Sequence, residues 1–145
     1  MLVFVVLSKM TVIACYAAND PSLIGTWEGQ DGIVTYQFDG SNYQLSFGIG
    51  DNVSVTKGTF TTNAGILTMK TTHLFGSCIG LKEKWYSKNE LEKDKDFAEY
   101  CSKNRIPKEE FLAGFEIIIK CTYTVSFNKL NLEMEGNYLN LTKKQ

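Results

Sequence analysis

A chain of 145 residues has room for one domain, and a composition of 43% hydrophobic and 12% aromatic residues with two prolines describes a packed core and excludes a disordered tail. With 15 basic against 16 acidic side chains, no long-range field draws nucleic acid or an anionic membrane surface.

The first element is a targeting segment. Residues 1–15, MLVFVVLSKMTVIAC, form an apolar run interrupted by Lys9 that ends at small residues and a cysteine. The run falls short of the roughly 20 apolar residues that span a bilayer. Val12-Ile13-Ala14-Cys15 resembles a bacterial lipobox, which implies removal of residues 1–14, lipidation of Cys15 and attachment to a membrane of the cell envelope. Ordinary secretion with cleavage after Ala17, and an uncleaved apolar strand or anchor, are the alternatives. Removing 1–14 takes away Lys9 and leaves 14 basic and 16 acidic residues, a formal charge of −2. Residues 15–22, small and polar after the cysteine, read as a tether with Asp20-Pro21 as its breaker. The folded unit, 23–145, then starts near Leu23.

From Leu23 to His73 the sequence alternates in period two between turn residues, which is the pattern of antiparallel strands joined by hairpins. Val34, Tyr36 and Phe38 fall on one face, DGSN at 39–42 makes a tight turn, and Tyr43, Leu45 and Phe47 continue the same face. Further along, Val53 and Val55 share a face while Phe60 has the opposite parity, so Gly58 is expected at a bulge. Leu67 and Met69 carry the apolar row of the fifth strand.

The segment 76–113 breaks the pattern. KEKWYSKNELEKDKDFAEYCSKN is charged and proline-free, with Leu91, Phe97 and Cys101 able to form one narrow apolar stripe, so it reads as a helix. Pro107 opens a second short helix that stops at Gly114. After this insertion comes the longest alternation of the chain, with Phe115, Ile117, Ile119, Cys121, Tyr123, Val125 and Phe127 on one face. Residues two apart point in different directions around a helix, so this row is a strand. Leu130, Leu132 and Met134 make the next strand, and YLNLTKK the last.

Strands at about 23–29, 33–39, 42–48, 52–60, 65–73, 114–127, 130–135 and 137–143 give eight in meander order, with the helical insertion between the fifth and sixth. Eight such strands close a barrel whose interior fits side chains or one small ligand, and closure removes two apolar edges. The expected fold is therefore a mainly β, eight-stranded antiparallel barrel.

Gly25-Thr26-Trp27, placed where the first strand of such a meander begins, resembles the Gly-x-Trp signature of the calycin superfamily, and the chain resembles a bacterial lipocalin-like lipoprotein. The resemblance implies that Trp27 plugs the closed end of the barrel and that a basic residue of the last strand packs across its indole. That residue is usually arginine; the chain's one arginine, Arg105, lies in the insertion, so Lys143 or Lys144 takes the position. It also implies a binding function for a small hydrophobic molecule, such as a fatty acid or other lipid. Tyr36, Phe38, Tyr43, Phe47, Met69 and Tyr123 are the inward residues expected to contact it. The same row would equally fill a solid barrel. A protein-interaction module is then the alternative, with the insertion as its contact element and Trp85 and Tyr86 as aromatic anchors.

No catalytic constellation is legible. The one histidine, His73, has no nucleophile elbow near it, and Glu109 and Glu110 are adjacent on a helix and point apart. The spacing of His73, Cys78 and Cys101 matches no compact metal-ligand motif. No enzyme activity, metal, cofactor or nucleic-acid partner is expected. If Cys15 is lipidated, Cys78, Cys101 and Cys121 remain, and an oxidising compartment pairs two of them or leaves all three buried and reduced. A Cys78–Cys101 bridge would staple the ends of the insertion.

Overall fold

The computed structural model describes residues 18–145, so the targeting segment and Cys15 lie outside the described residues. Strands β1 (Gly25–Gly29), β2 (Val34–Asp39), β3 (Asn42–Ile49), β4 (Asn52–Asn63) and β5 (Ile66–Phe75) follow one another through tight turns. A helical insertion separates them from the closing strands. It holds the short strand β6 (Trp85–Ser87) and helices α1 (Lys88–Lys93), α2 (Lys95–Asn104) and α3 (Lys108–Ala113). Strands β7 (Ile118–Ser126), β8 (Lys129–Met134) and β9 (Asn137–Lys143) complete the chain.

The ladder runs β4-β3-β2-β1-β9-β8-β7-β5, and pairing of β4 with β5 closes it into an eight-stranded antiparallel barrel, with β6 added to β5. Successive connections alternate between the barrel's two ends. One end carries the start of β1 and the β2–β3, β4–β5 and β7–β8 turns. The other carries the β1–β2, β3–β4 and β8–β9 turns and the insertion.

The first of these ends is packed shut. Leu23, Trp27, Phe38, Phe60, Leu67, Leu130 and Leu141 are buried together in one cluster. Phe38 meets Phe60 edge to face, with ring centroids 5.0 Å apart, and stacks on Tyr36 at 5.6 Å. Such pairs add about 0.5–1.5 kcal/mol to the burial itself.

The expected tether is partly built into this end. Asn19 Nδ2 donates to the carbonyls of Gly40 and Phe60 at 3.3 and 3.1 Å, and its Oδ1 accepts from Thr62 N–H at 2.9 Å. Asp20 accepts from the hydroxyls of Ser22 and Tyr123, and these bonds, led by the Ser22 hydroxyl, hold its carboxyl below the usual value of 3.8. The folded unit thus includes Asn19 and Asp20, upstream of Leu23.

Gly58 sits where the β4–β5 register shifts, but the extra residue is Thr72 of β5, so β4 itself keeps its parity. Phe60 is inward with Gly58, and Val53 and Val55 face away. The strands approach closely at this step: a Cβ on Gly58 would lie 1.9 Å from the Lys70 carbonyl oxygen.

The insertion has its own core of Leu74, Tyr86, Leu91, Phe97, Cys101, Leu112 and Phe115, which includes the predicted stripe. The long helix is broken in two. Ser87 and Glu90 form a capping box that starts α1, and the Asp94 carboxylate accepts from Phe97 N–H to start α2. Gly114 caps α3 in right-handed helical geometry, with φ −56°, and the chain continues through a 3-10 turn, Gly114–Glu116. That turn takes Phe115 out of the strand row and into the insertion's core. At the far end of the row, Phe127 occupies the β7–β8 turn, so the two outermost residues of the predicted row lie outside β7.

Gly58→Ala is therefore expected to destabilise the fold by about 1–3 kcal/mol through overpacking against backbone. Gly114→Ala, where no atom lies within 4 Å and φ already suits alanine, should be neutral or stabilising by about 0.4–1 kcal/mol. Chemical denaturation of the two variants measures both.

Candidate functional site

The plug is assembled from β1 and β9. Trp27 is fully buried and its Nε1 donates to the Leu23 carbonyl at 2.7 Å. Lys143, its register partner on β9, places Nζ 5.2 Å from the indole centroid. Lys144 turns away and pairs with Glu28 at 3.4 Å. Gly25 makes the crossing possible: its φ is +130°, and a Cβ there would stand 2.8 Å from Lys143 Cε. The glycine and tryptophan of the Gly-x-Trp stretch thus serve one contact.

The six residues expected around a ligand do not line one cavity. Phe38, Tyr43 and Met69 are buried within the barrel's packed cluster, and Tyr36 packs against it. Burial pushes the Tyr36 hydroxyl up to about 12, so it stays neutral. Tyr43 shares a hydrogen bond with Thr71 Oγ1 at 2.9 Å, and Tyr123 is committed to Asp20 at the closed end. Phe47 is exposed, at 55%, while Tyr36 and Tyr123 are half-buried. Packing is the reason: Trp27, Phe38 and Phe60 are buried together within the barrel.

Of the alternatives for the cysteines, the Cys78–Cys101 bridge is not formed; Cys78, Cys101 and Cys121 are free thiols. Cys78 Sγ accepts from Val55 N–H at 3.0 Å, capping a β4 amide beyond its ladder with β5. Burial raises the pKa of the Cys101 and Cys121 thiols, away from the reactive thiolate. The two anticipated anchors of the insertion are occupied as well. Tyr86 is buried, and Trp85 lies against Phe75 at 5.2 Å with Lys57 Nζ 4.5 Å from its ring.

The open feature is at the other end of the barrel. Alternate residues of a strand share a face, so Phe47 and Ile49 continue the inward row of Tyr43 and Leu45. In the same way Met134 continues Leu130 and Leu132, and Ile117 continues Cys121 and Ile119. On all three strands burial falls toward the same end: Ile49 is 70%, Ile117 60% and Met134 48% exposed. In the eight-strand ring β3 and β8 lie four places apart, so Phe47 and Met134 occupy opposite walls of the mouth.

One wall of this mouth is slotted. β7 pairs with β8 over Thr122–Ser126, whereas Ile118–Cys121 are laddered to β5 alone. Ile117, Ile118 and Met134 border the resulting depression of about 630 Å³, together with Lys120, Glu133 and Glu135. A depression of about 420 Å³ on the outer face is polar by contrast, with Gln37, Gln44, Lys57 and His73 along it. Among the sequence signals, Ile49 in FGIG could have pointed to the mouth, since an apolar residue between two turn glycines has no hairpin to bury it.

The chain matches no family model and no curated protein. Among solved structures it is similar to a lipocalin-like protein from Bacteroides uniformis ATCC 8492, at 16% identity and a TM-score of 0.50, over 85% of this chain and 99% of that one. The fold is lipocalin-like. An uncharacterized protein from Bacteroides eggerthii DSM 20697 is similar at 11% identity and a TM-score of 0.50, over 84% of this chain and 99% of that one. As a lipocalin-like barrel, the molecule has its closed end at Trp27 and its open end at the apolar rim.

Replacing Lys143 by methionine keeps the aliphatic stem and removes the charge, and should cost about 0.5–2 kcal/mol of unfolding free energy. Lys143→Arg should retain the contact and the stability. Denaturant titration followed by Trp27 fluorescence separates the two.

Proposed function

We propose that the chain is an exported binding protein without enzyme activity, anchored through a lipid on Cys15, that takes a small hydrophobic ligand such as a fatty acid at the rim of its barrel. The observation that carries this reading is the run of inward-facing apolar side chains that remain in water at one end: Phe47, Ile49, Ile117 and Met134. Covering such a side chain is worth about 1.5–3 kcal/mol, and four of them at one end of the barrel make an apolar rim that an apolar ligand would cover. The floor formed by the packed cluster makes the site shallow, so an acyl chain would lie across the mouth and along the slot beside β7. The alternative, an interaction module built on the insertion, is less favoured because Tyr86 is buried and Trp85 is engaged with Phe75 and Lys57.

Native mass spectrometry of the detergent-free protein, followed by titration with a fluorescent fatty acid, tests the proposal. A discrete extractable mass is expected, and binding that weakens at least about tenfold, the equivalent of 1.4 kcal/mol, in a Phe47→Asp/Met134→Asp variant. An apo mass with no uptake, or uptake indifferent to that variant, refutes it.

A further inference from the structure

We infer that the closed end of the barrel is the face held against the bilayer, with Phe127 entering its interfacial region; the inference rests on the lipid anchor proposed at Cys15. Two independent observations converge on that end. The first is where the chain enters the fold. Asn19 is fixed by three hydrogen bonds to the β2–β3 turn and to the end of β4. Only four residues lead from Cys15 to Asn19, a covalent reach of at most about 14 Å. A lipid on Cys15 therefore holds the closed end near the membrane surface, and an eight-residue strand such as β3 extends about 26 Å toward the other end.

The second observation is Phe127. In the two-residue loop between Ser126 and Lys129 it alone has a positive φ, 53°, a position that glycine usually fills in such hairpins. A bulky side chain in that conformation is a genuine outlier, and this one is 99% exposed. It therefore gains neither from backbone geometry nor from burial in the protein. The turn is tied to the same end by Lys143 N–H, which donates to the Asn128 carbonyl at 2.8 Å, and by Lys144 N–H, which donates to the Thr26 carbonyl at 2.8 Å. An exposed aromatic tip on a turn suits the boundary between headgroups and acyl chains. In this pose the apolar mouth faces away from the bilayer and stays open for exchange.

The test uses the full chain, expressed with its targeting segment and reconstituted in phosphatidylcholine–phosphatidylglycerol vesicles whose acyl chains are brominated near the interface. Phe127→Trp at the closed end and Ile49→Trp at the mouth are compared, with Trp27 and Trp85 giving the same background to both. The added fluorescence of Phe127→Trp should be quenched several-fold more than that of Ile49→Trp. Equal quenching, or stronger quenching of Ile49→Trp, in protein whose mass confirms a diacylglyceryl group on Cys15 overturns the inference alone. Absence of that mass overturns the anchor, and the inference with it.

Discussion

The contact between Lys143 and Trp27 organises the rest of the molecule. It joins the first strand to the last, the one pairing in the ring between elements more than a hundred residues apart, and it does so with the indole buried and its N–H satisfied by Leu23. Trp27 is buried in one cluster with Phe38 and Phe60, which meet edge to face, and the interior is packed at this end. A lysine in place of the usual arginine supplies the same cation on a more flexible stem, and Gly25 is the residue that leaves room for it.

A solid floor changes what the barrel can hold. In a small eight-stranded barrel the side chains themselves nearly fill the lumen. The remaining space is where strand pairing weakens: beyond Thr122 on β7, and at the rim, where the inward rows of β3, β7 and β8 outrun the core. The insertion packs on β4 and β5 with a core of its own and leaves Phe47 and Ile49 of β3 exposed at this rim. Division into a filled end and an open end follows from the placement of Trp27 at one end of the axis.

Much of this architecture was legible in the sequence because strand periodicity is a local property. All eight barrel strands fall within a few residues of the positions that alternation gives, and the Leu91, Phe97 and Cys101 stripe identifies the insertion's core. The misreadings came where a short-range bond outweighs periodicity. Asp94 caps a new helix within a charged run, and a 3-10 turn removes Phe115 from a row it fits by parity. The Ser87-x-x-Glu90 capping box was visible in the sequence and marks the start of α1. What alternation does not contain is depth: Tyr43 and Phe47 share a face and a chemistry, and only the three-dimensional packing of Trp27 and Phe60 makes one floor and the other rim.

The central claim, a shallow apolar mouth above a filled floor, is most directly tested by methyl NMR of the protein titrated with a short-chain fatty acid. The account predicts saturable shifts of the Ile49, Ile117 and Met134 methyls, with those of Leu67, Leu130 and Leu141 unmoved. Shifts concentrated in the buried leucines would reveal a central cavity that opens for the ligand and would contradict it.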